Sequence, residues 1–118
     1  MSAPTDSAPR NPNYTVKKVE CVVAGTDVQA RIFTLAPGEA IPWHYHSETT
    51  DHYFVLRGTL TIETRNPDDQ RLLEVGGRYQ IMPGTGHLIS NRGAADCEFL
   101  LLQGVGKYDW LKVNSTSA

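Results

Sequence analysis

Hydrophobic positions along this chain recur in short runs with a period of two, and each run is cut off by turn residues. The runs are KKVECVVA (17–24), VQARIFTLA (28–36), WHYH (43–46), HYFVLRG (52–58), TLTIETR (59–65), RLLEV (71–75), RYQIM (78–82), HLISN (87–91) and CEFLLLQG (97–104). Between them stand Gly25-Thr26-Asp27, Pro37-Gly38, Asn66-Pro67-Asp68-Asp69, Gly76-Gly77, Pro83-Gly84-Thr85-Gly86 and Asn91-Arg92-Gly93. Alternation bounded by Gly, Pro, Asn and Asp is the pattern of β-strands joined by tight turns. Helical periodicity is almost absent. Nine short strands without helices predict an all-β sandwich or barrel. GKYDWLKV (106–113) reads as a last strand or a short terminal turn.

Strand parity assigns faces. His44 and His46 point one way and Tyr45 the other. Asp51, Tyr53 and Val55 share a face, and His52, Phe54 and Leu56 share the opposite one. Arg31 and Phe33 lie together on one face of their strand, but parity does not say which face is inward; Tyr79 and Gln80 carry the same ambiguity. Trp43 and Tyr45 flank His44 on the opposite face, where they are expected to pack on the other sheet or on a partner chain.

Three of the four histidines crowd into residues 44–52, and the fourth is His87. Two imidazoles about 7 Å apart on one strand face can converge on a single ion. Asp51 is the next carboxylate whose parity suits such a site, and His87 is the remaining imidazole once His52 is set aside by parity. Glu48 is a rival carboxylate, but its SETT segment reads as a loop.

These residues carry a resemblance. Gly38, five residues, His44-Tyr45-His46, four residues, Asp51, six residues and Gly58 resemble the first motif of the cupin superfamily. Gly76, five residues, Met82-Pro83-Gly84, two residues, His87, three residues and Asn91 resemble its second motif, after a 17-residue spacer. Met82 stands where the motif has a first proline, and Asp51 where it has glutamate. The resemblance implies a small single-domain jelly-roll β-barrel over residues 14–112; by their polar composition 1–13 and 113–118 read as disordered tails. It also implies a divalent transition metal (iron, manganese, nickel, cobalt, copper or zinc) held by His44, His46, His87 and a carboxylate. Asp51 is shorter than glutamate by one methylene, about 1.5 Å of reach. It would therefore bind directly, or through a water, or leave a three-histidine site; it is favoured over Glu48.

Such a site suits a small metal-dependent enzyme acting on a small chelating organic substrate, with dioxygenase chemistry favoured and isomerase or lyase chemistry open. The alternative is a non-catalytic metal-binding or sensing module. Tyr53, on the face of Asp51, is a candidate to hydrogen-bond substrate or donate a proton; the competing reading is a core aromatic with its hydroxyl satisfied.

Composition closes off other classes. Eleven Lys+Arg against 13 Asp+Glu, with no basic run, leave no electrostatic footprint for nucleic acid. No apolar run is long enough to span a membrane, and the N-terminus lacks the apolar core of a secretory signal, so a cytoplasmic protein is expected. Cys21 and Cys97 are then reduced, packed thiols. There is no Gly-x-Ser-x-Gly, Walker or His-Glu-x-x-His motif. Sheet edges and apolar positions such as Phe54 and Leu56 suggest a homodimer.

Overall fold

The computed structural model describes residues 10–113. The expected tails at 1–9 and 114–118 lie outside the described residues. Of the remainder of the first tail, Arg10 Nη1 donates to Val16 O at 2.6 Å, and the Asn13 backbone and side-chain amides both donate to Asn11 Oδ1.

The described residues form ten strands and no helix: β1 (Lys18–Ala24), β2 (Val28–Leu35), β3 (Ala40–Tyr45), β4 (Thr50–Arg57), β5 (Leu60–Arg65), β6 (Asp69–Leu73), β7 (Arg78–Ile81), β8 (Gly86–Ser90), β9 (Cys97–Gly104) and β10 (Leu111–Lys112). They make two antiparallel five-stranded sheets, ordered β1-β2-β9-β4-β7 and β10-β3-β8-β5-β6. The terminal segment left open by the sequence is thus half loop and half strand: β10 pairs with β3 through Leu111↔Tyr45 and Lys112↔His44. No helix of the described residues is long and apolar enough to cross a membrane.

The core lies between the sheets. Val55, Tyr53 and Asp51 on β4 and Cys97, Phe99, Leu101 and Gln103 on β9 are buried, while the residues between them are more exposed. Phe33 and Phe99 stack at 5.3 Å between centroids. Leu35, Leu60, Ile62 and Ile89 are almost wholly buried around them. Parity was therefore a sound guide, and the two ambiguous pairs resolve. Arg31 and Phe33 both face inward. Tyr79 is half-buried against the core and donates to Asp69 Oδ2, whereas Gln80 is exposed. Trp43, on the outer face, carries the Arg65 guanidinium 4.1 Å above its ring.

Two residues of the resemblance have structural duties here. Asn91, fully buried, donates from Nδ2 to Leu35 O and Ala95 O and accepts from Gly93 N through Oδ1. It satisfies three backbone groups where the chain turns between sheets. Gly58 has φ 75°, and a Cβ there would lie 2.5 Å from Asp96 O. Gly38 has a similar φ of 87°, but its Cβ would meet nothing within 4 Å. Gly38→Ala is expected to lower stability by about 1 kcal/mol, the backbone term alone. Gly58→Ala should cost on the order of 2–4 kcal/mol, because backbone must move. Thermal melts of the two variants side by side check this; equal losses would show that the Asp96 contact is relieved without penalty.

Candidate metal centre

The four expected ligands come together. One ligand atom from each of His44, His46, Asp51 and His87 can be chosen so that all lie within 4.8 Å of one another, and all four residues are buried. The two sheets supply them from opposite sides. His44 on β3 is the direct cross-strand partner of His87 on β8, with ring centroids 4.1 Å apart. His46 follows the end of β3, its ring 4.9 Å from that of His44. Asp51 faces them from β4 in the other sheet. Glu48 takes no part: it is exposed and accepts from Lys107 N at 3.1 Å. His52 lies on the outer side of β4, as its parity required.

Each imidazole is held by its other nitrogen. His44 Nδ1 contacts Pro42 O at 2.7 Å, His46 Nδ1 contacts Asp109 O at 2.5 Å, and His87 Nδ1 contacts Thr85 O at 2.8 Å. A carbonyl oxygen can only accept, so Nδ1 carries the proton in all three rings. The neutral tautomer then leaves Nε2 bare and directed at the cluster, the arrangement that metal-ligating histidines use.

The residues fit a cation for a further reason. His87 Nε2 is buried with no hydrogen-bond partner, although Asp51 Oδ2 lies only 3.2 Å away. His46 Nε2 is 3.3 Å from the same oxygen. With both imidazoles neutral and Nδ1-protonated, these short distances set lone pair against lone pair, and Gln103 Nε2, 3.3 Å from His46 Nε2, is a donor beside them. Only a cation or added protons relieve that repulsion. Three neutral imidazoles and a carboxylate suit the borderline divalent ions.

Local electrostatics keep His44 and Asp51 in ligand form and act the other way on His46. Burial, reinforced by the neighbouring His87 and His46, pushes His44 down to about 2. Burial raises the Asp51 carboxyl, but hydrogen bonds and charge from His46 and His87 outweigh it and hold Asp51 well below the usual range. His46 is also pulled down by burial, yet the Asp51 carboxylate and the Asp109 carbonyl carry it above its ordinary value.

Asp51 is itself positioned. Tyr53 OH donates to Oδ2 at 2.9 Å, and Gln103 Nε2 donates to Oδ1 at 3.0 Å. Tyr53 is 1% exposed, and burial followed by the Asp51 charge raises its hydroxyl well above the ordinary value. The Tyr53 hydroxyl therefore commits its hydrogen bond to the Asp51 carboxylate. The Trp110 ring stacks on His44 at 4.8 Å, and the Tyr108 ring lies 5.5 Å from His46. Gln103, Tyr108 and Trp110 are the site residues that sequence reasoning missed. Gln103 had a signal, since it continues the inward file of Cys97, Phe99 and Leu101. The two aromatics sit in a loop where no period assigns a direction.

Removing two imidazoles, with His44→Ala plus His46→Ala, is expected to abolish metal retention measured by elemental analysis, and Asp51→Asn to weaken it less. Unchanged metal content in Asp51→Asn would exclude the carboxylate as a direct ligand. Added metal at a hundredfold excess over Kd should stabilise the fold by about 2.7 kcal/mol. In metal-free protein, His44 is depressed on folding, so its contribution is complete above pH ~6.5 and declines as pH falls through the window towards about 2. His44→Leu is expected to flatten the loss of melting temperature between pH 7 and pH 5; an unaltered slope would contradict this assignment.

The comparisons bear on the fold and the family. No curated protein matches the chain. Among solved structures, a double-stranded β-helix domain protein from Klebsiella pneumoniae is 21% identical at a TM-score of 0.73, with 92% of each chain covered. The polyketide cyclase RemF from Streptomyces resistomycificus is 16% identical at a TM-score of 0.79, covering 94% of this chain and 80% of that one. An oxalate oxidase is 20% identical at a TM-score of 0.73, covering 96% of this chain and 63% of that one. At these identities the likeness is one of fold. The family model described as "Cupin domain" matches residues 31–103, a span that holds His44, His46, Asp51, His87 and both motifs, and the chain belongs to that family.

Proposed function

We propose that this protein is a metal-dependent enzyme acting on a small chelating organic molecule at the His44–His46–Asp51–His87 centre. The reading rests on one observation: three imidazole Nε2 atoms and a carboxylate are buried and aimed at one another, with each imidazole fixed from behind by a backbone carbonyl. A bound divalent ion would supply Lewis-acid polarisation of substrate oxygens and, as Fe(II), a capacity for oxygen chemistry.

The chain's own residues do the rest. The imidazoles hold their orientation because strands, a cross-strand pair and carbonyl contacts hold them. Tyr53 and Gln103 fix the Asp51 carboxylate from two sides. Tyr53 acts as a positioning residue, since its hydroxyl reaches the ligand and is sealed from solvent. Trp110 and Tyr108 cover two of the imidazoles and keep water from them. Dioxygenase chemistry is the favoured form, with isomerase and lyase chemistry as the others; a cyclase and an oxidase already share the fold, so fold does not choose.

A second reading, a binding or sensing module, draws support from one feature. A groove of about 460 Å³ beside the centre is not lined by any of the four ligands. Turnover separates the two. Protein loaded in turn with each candidate metal is expected to consume oxygen, or to convert at least one chelating hydroxy-ketone or diketone. Retention of metal with no turnover of any substrate would assign the protein to the binding class. Tyr53→Phe is expected to weaken metal affinity by about tenfold, the usual scale for loss of a residue that supports a ligand; lost turnover at unchanged affinity would instead make Tyr53 a proton donor. Two copies are further proposed to pair, covering exposed apolar residues such as Val22 and Val23 on the edge strand β1. A monomeric mass in light scattering at micromolar concentration would contradict the pairing.

A further inference from the structure

Arg31 is the inward-facing cation of β2, only 9% exposed. Among the described residues no carboxylate forms an ion pair with it. Its Nη2 donates to Gln103 Oε1 at 2.6 Å, and its guanidinium carbon lies 4.9 Å from the Phe33 ring centroid and 5.3 Å from that of Tyr108. Its Nε is buried without any hydrogen-bond partner. Arginine is almost never this buried unless paired, because a desolvated charge without a counter-charge is costly.

The groove of about 460 Å³ opens beside this guanidinium. Its wall includes Arg31, Gln29, Tyr108, Pro12, Cys21 and Ala24. That volume suits a small molecule. Arg10, Asn11 and Asn13 complete the wall, with Arg10 Nη1 committed to Val16 O. Two guanidiniums, of which the buried Arg31 has no counter-charge, beside amide, aliphatic and aromatic surface are the chemistry for an organic anion. A planar fork of donors matches a carboxylate at two points.

Gln103 links this groove to the metal centre. Its Oε1 accepts from both Arg31 Nη2 and Gln29 Nε2, the latter at 3.0 Å. With the oxygen claimed by two donors, the amide nitrogen must face Asp51 Oδ1 and the His46 ring. A ligand that draws Arg31 aside therefore moves the amide that orients Asp51.

We propose that the groove binds an organic carboxylate through Arg31, and that Gln103 couples its occupancy to the metal centre. The second half rests on the metal-centre reading above; the first does not.

Benzoate and its neutral isostere benzamide are the probes, titrated calorimetrically into EDTA-treated and Co(II)-loaded protein. Benzoate is expected to bind both forms at least about tenfold more tightly than benzamide, the scale of one charge-assisted hydrogen bond. Arg31→Gln should bring benzoate down to the benzamide level, and Arg31→Lys should keep part of the preference. Equal binding of the two probes by the unaltered protein, or no binding of benzoate, overturns the carboxylate site without recourse to any variant. Benzoate binding that requires Co(II) and survives Arg31→Gln overturns it as well. For the coupling, benzoate should shift the visible Co(II) spectrum of the loaded protein, and Gln103→Leu should remove the shift; binding with an unmoved spectrum overturns that half. Failure to retain cobalt would count against the metal centre and the coupling, while the EDTA-treated titration still decides the Arg31 site.

Discussion

Lone pairs that face one another in a dry space are the constraint on which this molecule turns. Three imidazole nitrogens and a carboxylate oxygen are withdrawn from water and brought within 4.8 Å. Every feature that achieves this works against the folding of the metal-free chain, because acceptors prefer water to each other. The fold absorbs that penalty with an apolar layer further along the same strands. On β9 the inward file runs Cys97, Phe99, Leu101 and then Gln103, so one barrel holds a hydrocarbon interior at one end and a polar site at the other. The apolar end supplies the rigidity that keeps the acceptors together.

Support for the ligands comes mostly from backbone. The carbonyls of Pro42, Thr85 and Asp109 set the three tautomers. Two of these are only two residues before the histidine they hold, so strand geometry itself orients His44 and His87. His46 differs, for it depends on a carbonyl from the far end of the chain. The site is thus completed only when the segment after β9 has folded back across β3.

Much of this was legible in the amino-acid order, for definable reasons. Period-two alternation located the strands and placed Asp51 and Tyr53 inward, because a pleated strand leaves a side chain only two directions. The spacings around His44, His46, Asp51, His87 and Asn91 were readable because turns of fixed length hold fixed registers. What escaped notice came from tertiary pairing. The register Asp51↔Gln103 joins two strands distant in the chain. Arg31 was seen, but a strand's own pattern does not reveal which face meets the opposite sheet when both carry mixed residues. The orienting carbonyls are backbone groups that no residue type announces, and Trp110 lies in a loop where direction has no period.

The covering of His44 has a consequence for access. Trp110 stacks on that ring and precedes a strand only two residues long, whose own side chains are exposed. Short exposed pairings sit at the low end of local stability. The barrel's sheets need not flex for a solute to reach the imidazole, since unzipping one terminal clasp uncovers it. A bulky fusion appended beyond Lys112 would sit on that hinge, so the choice of which end of the polypeptide to extend is also a choice about the ease of entry.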